Sequence, residues 1–374
     1  MRAALLRVWS VFITIFFVQL ANGLQTDLLS VRADLESFGA GVIGIVMASY
    51  YLGYSLAPLT GHWLIGRLGH ARAIILASIA AAVVIVAPAY VVSPLAWACF
   101  RALSGFVLST LYIAVESWIH DSVENEARGR VFSAYMVVQL VAMTAAQFLF
   151  GISNPRGSLP FLLAGMLFLI SGLPVIRSAP VHPDSPPEPF GVLRLFRLSP
   201  LGALVTVLAG ISWAIVFTFG PVYARHAGLN LGQTAMFMAA AMLGGACLQF
   251  PFGWLSDVIG RRAVLAIMSA GAIGASFLGY WSDAGVLLAK DAASFFLGGF
   301  VFTLYAIAAA HTNDLVAPQN RIAAAAGLVL LFGFGSIAGP LLSGEAIAML
   351  GTGGYFIVLA LTLCASLAAT VFCR

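Results

Sequence analysis

Apolar residues form long, nearly uninterrupted stretches along the whole chain, and short polar segments separate them. Each stretch holds about 20 residues, the length an α-helix needs to cross the hydrocarbon core of a bilayer. The strands of a membrane barrel would instead alternate apolar and polar side chains. The pattern therefore predicts an all-α membrane protein with twelve transmembrane helices, at about 8–28, 39–64, 71–92, 95–119, 131–151, 159–176, 200–222, 231–255, 263–281, 285–310, 322–346 and 354–372.

The composition also fits a membrane protein, and it limits the functions and ligands to be considered. Hydrophobic residues make up 61% of the chain and charged residues only 9%, against about 25% charged residues in soluble domains. The net charge of +4 would suggest nucleic acid in a soluble protein, but membrane topology explains it here. The four cysteines lack metal-ligand spacing, so no metal or cofactor is expected. No residue cluster suggests catalysis, so we do not expect an enzyme.

A polar, proline-rich segment lies near the middle of the chain. Residues 177–199 contain five prolines, and proline removes a backbone donor and interrupts a helix. We predict a cytoplasmic linker there rather than a continuous helix. The linker separates two domains, 1–176 and 200–374, with six predicted helices in each.

Two short patterns of the first half recur in the second half at nearly the same offset. A glycine, a Thr-Leu-Tyr triplet and an aspartate of the first half recur in the same order 193 positions later. The glycine is Gly105 in the first copy and Gly298 in the second. A tryptophan and a glycine are displaced by 191, the glycine from Gly69 to Gly260. Two copies of one membrane unit are typical of transporters, which place the substrate site between the copies.

The basic residues fall mainly on one side of the predicted topology. If the N-terminus is cytoplasmic, thirteen arginines face the cytoplasm, and only Arg32, Arg156, Arg225 and Lys290 face the other side. The positive-inside rule therefore assigns both termini and the linker to the cytoplasm. The first stretch could also be a signal peptide cleaved near residue 23, but its length and its polar residues favour a retained helix.

The loop between the eighth and ninth predicted helices contains Gly253, Asp257, Gly260, Arg261 and Arg262. The glycines permit a tight turn, and the arginines hold the cytoplasmic face of the membrane. Asp257 can accept hydrogen bonds from an arginine or from a helix N-terminus. We interpret this loop as a turn that fixes topology, as a latch between helices, or as both.

The same loop fits G-x-x-x-D-x-x-G-R-R at every specified position, and so resembles the signature loop of the major facilitator superfamily. Its first-half counterpart departs from the signature, because Gly66 replaces the acidic residue and His62 replaces the first glycine. Arg101 and Gly105 resemble the superfamily's R-x-x-x-G pattern, which is associated there with ion or proton coupling. The resemblance implies two pseudo-symmetric six-helix bundles, the major facilitator fold, and transport by alternating access.

Several further segments look like one branch of that superfamily, the YcaD-type transporters. This branch consists of bacterial inner-membrane proteins, mostly without assigned substrates, so the resemblance implies a location and a fold but no solute. The segments are 111–118, 125–130, 302–314 and 327–341.

The first predicted helix carries a polar stripe. Gln19, Asn22 and Gln25 fall broadly on one face of it, with Gln19 near the bilayer midplane. Because lipid would penalise these side chains, we predict that the stripe faces a substrate cavity. The alternative is hydrogen bonding between helices that serves packing alone.

Ionisable residues within membrane helices are costly and usually functional. Asp27 and Arg101 lie at similar depths, so we hypothesise that they pair and that protonation of Asp27 loosens the pair during transport. A permanent salt bridge is the alternative. Glu116 is a third candidate for coupling, and a structural bond to a loop or helix terminus is its alternative.

The other candidates are polar or aromatic residues in predicted helices. His311, Asn313 and Asp314 lie at the cytoplasmic end of the tenth predicted helix, where we expect a gate or hinge. The remaining side chains can contact a ligand, although packing explains them equally well. These cavity candidates are Tyr50, Tyr54, Tyr112, Gln139, Gln147, Trp213, Gln249 and Tyr305.

These patterns predict a secondary active transporter of a small solute, driven by an ion gradient that we take to be protons. Export is favoured over import, because the candidates are dispersed amides and aromatic rings rather than a dense charge cluster. A passive facilitator is one alternative, and a non-transporting sensor or assembly factor is another. We expect a monomer in the bacterial inner membrane that contacts solute, protons and lipid, without nucleic acid.

Overall fold

The computed structural model describes residues 2–123, 125–176, 192–282, 287–317 and 320–373, and these residues form helices and turns without any strand. Eleven of the helices are long and apolar enough to cross a membrane, and a twelfth apolar helix, beginning at Leu159, is shorter. The prediction of an all-α membrane fold is confirmed. The helices are α1 (Arg2–Leu35), α2 (Ala40–Leu68), α3 (His70–Val86), α4 (Pro94–Ser122), α5 (Asn125–Gly151), α6 (Leu159–Gly172), α7 (Val192–Leu198), α8 (Pro200–His226), α9 (Leu231–Ile259), α10 (Arg261–Trp281), α11 (Leu287–Leu315), α12 (Arg321–Leu350) and α13 (Gly354–Phe372).

The end of the predicted linker forms a short helix that the sequence analysis did not anticipate. The short helix α7 begins after the last proline of that segment, so no proline ring interrupts it. Its Leu195 is buried in a cluster with Leu328 and Leu331 of α12, and this apolar contact holds α7 in place. Residues 177–191, the rest of the linker, lie outside the described residues.

Two glycines with positive φ each lie between two consecutive helices, and they occupy equivalent positions in the two halves of the repeat. Gly69 joins α2 to α3 with φ 76°, and Gly260 joins α9 to α10 with φ 92°. Other residues avoid this conformation because their Cβ clashes with the backbone. Gly253 instead lies inside α9, where an added Cβ would meet nothing within 4 Å. The expectation that Gly253 shapes the turn is therefore wrong.

Backbone contacts divide the chain into two units, Met1–Glu36 with Ser49–Pro186, and Ser37–Ala48 with Pro187–Arg374. In the first unit, α1 packs against α4, α5 and α6, and α3 packs against α4 and α6. In the second unit, α8 packs against α11, α12 and α13, and α11 also packs against α9 and α10.

Each unit contains the same close helix crossing, and glycine makes it possible. A Cβ on Gly53 of α2 would lie 1.8 Å from the carbonyl oxygen of Ala102 in α4. A Cβ on Gly244 of α9 would lie 1.8 Å from the carbonyl oxygen of Phe295 in α11. The two pairs are related by the sequence offsets of 191 and 193, so the internal repeat is also a repeat of backbone packing.

Candidate functional site

The polar stripe of α1 faces other helices of the first unit. Gln19 and Gln25 are buried and Asn22 is half-buried. The Nε2 atom of Gln19 donates to Oε1 of Gln139 in α5, and Nε2 of Gln25 donates to Oγ of Ser104 in α4 at 2.8 Å. The stripe therefore lies in the interior of this unit, where α1, α4 and α5 meet.

Tyr112 of α4 joins the stripe to a row of aromatic rings. Its hydroxyl donates to Oε1 of Gln19 at 2.8 Å and accepts from Nδ2 of Asn22 at 3.5 Å. Its ring centroid lies 6.3 Å from that of Tyr54, which lies 6.0 Å from that of Tyr50 in α2. Four helices thus contribute to one cluster of amides and phenols.

The predicted ion pair between Asp27 and Arg101 is not formed. Both carboxylate oxygens of Asp27 are buried without a hydrogen-bond partner, and so are Nε and Nη1 of Arg101. Asp27 lies beside Gln147 of α5, whereas the guanidinium carbon of Arg101 lies 4.4 Å from the ring centroid of Tyr50 in α2. The two side chains turn toward different helices, α5 and α2.

Glu116 lies on the same helix as Tyr112, one turn further along the chain. Its side chain is exposed, and its Oε1 accepts a hydrogen bond of 3.2 Å from the hydroxyl of Tyr135 in α5. The partner is thus a neighbouring membrane helix rather than the loop or terminus offered as the structural alternative. Tyr135 was missed in the sequence, although it precedes Gln139 by four residues and so shares its helix face.

The candidates of the second unit form a separate, mostly aromatic group. Trp213 of α8 contacts Phe302 and Phe332 with ring centroids 4.5 and 5.9 Å apart. The ring of Tyr305 lies 5.1 Å from that of Phe332. Gln249 is not part of this group, because it is exposed on α9.

The sequence-predicted loop is reduced to Gly260, because Asp257 lies in α9 and Arg261 and Arg262 begin α10. A network of charges joins these two helix ends to the rest of the second unit. Arg261 forms ion pairs with Asp257 at 2.6 Å and with Asp314 of α11 at 3.3 Å. Arg262 donates to the backbone carbonyls of Thr370 and Val371 at the end of α13.

An open cavity of about 610 Å³ lies beside this network and is lined by Arg261, Arg262 and His311. The neighbouring Asn313 has a buried Oδ1 atom without a partner. These contacts join α9, α10, α11 and α13 at one end of the unit, where the expected gate residues of α11 also lie.

No group of three or more His, Cys, Asp or Glu side chains is placed to hold a metal ion in the described part of the chain. The four cysteines are free thiols. Around its buried cluster, the first unit places amides, phenols, carboxyls and the guanidinium of Arg101.

Comparison with known sequences identifies the family. The profile of the Major Facilitator Superfamily matches residues 11–289 and 202–374. The chain belongs to the major facilitator superfamily. Members of this superfamily are membrane transporters, and the protein is accordingly a multi-pass membrane transporter for a small-molecule substrate.

Relatives within the superfamily include uncharacterized MFS-type transporters YcaD. The protein from Salmonella arizonae is 29% identical over 307 residues, which cover 80% of this chain and 78% of the relative. The protein from Escherichia coli O139:H28 is 28% identical over 332 residues, which cover 87% of this chain and 85% of the relative. The resemblance to this branch is confirmed.

Solved structures of other superfamily members share the fold. The nucleoside transporter NupG superposes with a TM-score of 0.81 at 15% identity and covers 97% of each chain. A bacterial homolog of the human lysosomal transporter Spinster, inward-facing and unoccupied, superposes with a TM-score of 0.75 at 15% identity over 96% of this chain and 94% of the other. At this identity the likeness shows the major facilitator fold alone.

Proposed function

We propose that the protein is a secondary active transporter that exports a small solute by alternating access in exchange for protons. The observation that carries this proposal is the buried cluster of the first unit, where Asp27 has no partner for its charge and Tyr112 connects amides of α1. A membrane protein that needed these groups only for packing would leave no carboxyl group unpaired inside it.

Asp27 is proposed as the group that carries the proton. An unpaired carboxylate buried away from water costs several kcal/mol, so the buried side chain is stable as the neutral acid. The helices packed against α1 place Gln147 beside it. The charged groups of α4 are engaged elsewhere, Arg101 over Tyr50 and Glu116 with Tyr135. Access of water to Asp27 would release the proton.

The solute is proposed to bind to the polar row formed by Gln19, Asn22, Tyr112 and Gln139. These side chains offer both donors and acceptors, and they can exchange their mutual hydrogen bonds for bonds to a solute at small cost. The phenol rings supply flat apolar surface beside them. Export follows from this dispersed arrangement, which suits weakly polar solutes better than highly charged nutrients.

Flux in proteoliposomes tests this function. A thermal-shift screen first identifies a solute that raises the melting temperature, since a ligand of the folded form stabilises it. Vesicles then enclose a pH-sensitive dye. We expect solute flux and proton flux together in the wild type, and loss of proton flux with retained binding in Asp27→Asn. The matched control is Asp34→Asn, the other aspartate of α1, which should keep both fluxes.

The same measurement decides between the proposal and its alternatives. Solute flux without any proton signal in the wild type would support a passive facilitator. Solute binding without flux would support a sensor or assembly factor. Placement in the inner membrane with cytoplasmic termini belongs to the proposal too, and is supported by the arginine distribution and by the bacterial YcaD relatives. A monomeric state is also part of the proposal.

A further inference from the structure

Arg101 is a buried cation with unused donors. Its side chain is 2% exposed, and its Nε and Nη1 atoms have no hydrogen-bond acceptor. Among the residues that the structure describes, no carboxylate lies within ion-pairing distance of it. Leaving a buried charged donor unsatisfied costs more than a neutral one, so this arrangement calls for a missing acceptor.

A second buried arginine of the same unit shows how a purely structural arginine is satisfied. Arg32 forms an ion pair of 2.6 Å with Glu36, and its Nη1 donates to the backbone carbonyls of Pro155 and Arg156. Arg32 therefore ties the end of α1 to the loop between α5 and α6. Arg101 makes no comparable bonds, although it is also buried.

The contact with Tyr50 does not use the donors of Arg101. The guanidinium carbon lies over the ring of Tyr50, 4.4 Å from its centroid, which is a cation–π contact. The five N–H bonds of a guanidinium point outward in its own plane in several directions, so contact with one ring leaves donors available. An acceptor can therefore approach in the plane while the ring stays in contact.

The surroundings hold Arg101 in this position. Gly105 lies one turn along α4, and a Cβ there would lie 1.9 Å from the carbonyl oxygen of Tyr50, so α2 and α4 are in backbone contact. Ser104 lies on the same face of α4 as Arg101. Its Oγ accepts from Gln25, which leaves its own hydroxyl hydrogen free to donate. Donors from Arg101 and Ser104 are thus neighbours.

We propose that Arg101 binds the carboxylate of the transported solute, so that the substrate class is a small organic monoanion with an apolar or aromatic body. The inference rests on the proposed function. A carboxylate matches the guanidinium with two parallel hydrogen bonds, and Ser104 supplies a third donor. The rings of Tyr50 and Tyr54 pack against the body of the solute.

The charge balance favours a monoanion over a phosphate dianion. A dianion would require a second unpaired cation, and the other buried arginine, Arg32, is already neutralised by Glu36. A monoanion bound to Arg101 cancels its single positive charge and leaves no excess charge at the site.

Paired probes test the proposal on the purified full-length protein. Benzoate supplies a carboxylate and a ring, and benzamide is its neutral isostere. At fixed ionic strength, we expect benzoate to raise the melting temperature of the wild type and benzamide to raise it much less. In Arg101→Gln the affinity for benzoate should fall about tenfold or more, and the preference over benzamide should vanish. Arg101→Lys should retain part of the preference.

Arg156→Gln is the matched control, since Arg156 is exposed and contributes only a backbone carbonyl to Arg32. It should bind benzoate like the wild type. Equal shifts with benzoate and benzamide in the wild type, or an unchanged preference in Arg101→Gln, would overturn the proposal. If Arg101→Gln does not fold, Arg101→Lys decides, because a benzoate affinity equal to that of the wild type would also overturn it.

Failure of this inference is distinguishable from failure of the proposed function. Asp27→Asn should retain the preference for benzoate while losing proton flux. Proton-driven flux of a neutral solute without anion binding would reject the anion site and leave the transporter proposal intact. Anion binding without any proton flux would instead reject proton coupling and leave the anion site at Arg101 intact.

Discussion

The ammonium group of Lys290 lies 2.9 Å from the hydroxyl of Tyr223, in the interior of the second unit. Lys290 is 3% exposed, and its other acceptor is the backbone carbonyl of Ser282 at 3.2 Å. A phenol and a carbonyl thus satisfy a buried cation. The lysine ties the start of α11 to α8 and to the end of α10.

Removal of the phenol should cost more stability than removal of the lysine. Tyr223→Phe leaves the ammonium with one acceptor, and we expect a loss of about 1–3 kcal/mol in the free energy of unfolding. Lys290→Met removes the charge together with its requirement for acceptors, so we expect a change near zero. Denaturant unfolding in detergent measures both. A larger loss in Lys290→Met would contradict this account of the buried lysine.

The contact between α2 and α4 should not tolerate a methyl group at Gly105. Since an added Cβ would meet the carbonyl oxygen of Tyr50 at 1.9 Å, the helices must separate. We expect Gly105→Ala to lose about 1–3 kcal/mol of stability and to lower the yield of monodisperse protein. Gly66→Ala is the control, because no atom lies within 4 Å of a Cβ there. Equal stability of the two variants would refute the close packing.

Most of the fold could be predicted from the sequence, because the length of the apolar runs and the spacing of the internal repeat determine it. Runs of about 20 apolar residues predict membrane helices without knowledge of their partners. The offset that relates Gly105 to Gly298 also predicted two related units, and both glycines make backbone contacts with a neighbouring helix. The helical end of the linker at α7 was missed, since one buried leucine in a basic segment gives only a weak pattern.

The site was predicted less completely, because depth along a helix does not determine direction around it. Their positions along the helices predicted that Asp27 and Arg101 lie at one level. The orientation of each helix about its own axis turns Asp27 toward Gln147 and Arg101 toward Tyr50. The stripe of Gln19 and its neighbours was easier to interpret, since lipid penalises every amide on such a face. Hydrogen-bond partners on other helices require the tertiary structure.

The hydroxyl of Tyr112 should matter for binding rather than for folding. It bonds to Gln19 and Asn22, so Tyr112→Phe leaves amide groups without one partner at the proposed solute site. We expect stability to change by about 1 kcal/mol and the affinity for the solute found by thermal shift to fall about tenfold. Tyr90→Phe is the control, because Tyr90 is 67% exposed. Unchanged affinity in Tyr112→Phe would remove this residue from the site.

Chemical labelling of single cysteines tests the membrane topology. Asn154 is exposed between α5 and α6, and Gly66 is exposed near the end of α2. In a background without the four native cysteines, we expect a membrane-impermeant maleimide to label Asn154→Cys in intact cells. Gly66→Cys should react only after permeabilisation, because arginine-rich loops face the cytoplasm. The reverse labelling pattern would invert the assignment of both termini.

The ion pairs of Arg261 should affect the rate of transport more than stability. Asp257 and Asp314 are largely exposed, and pairs of this kind contribute only about 0.2–1 kcal/mol each, less at high salt. They nevertheless join α9, α10 and α11 at the end where a gate is expected. We therefore predict that Asp314→Asn lowers the rate of solute flux several-fold while solute affinity and melting temperature stay near wild type. Arg321→Gln, an exposed charge at the start of α12, is the control and should leave the rate unchanged. Loss of affinity rather than of rate in Asp314→Asn would place this residue at the solute and not at a gate.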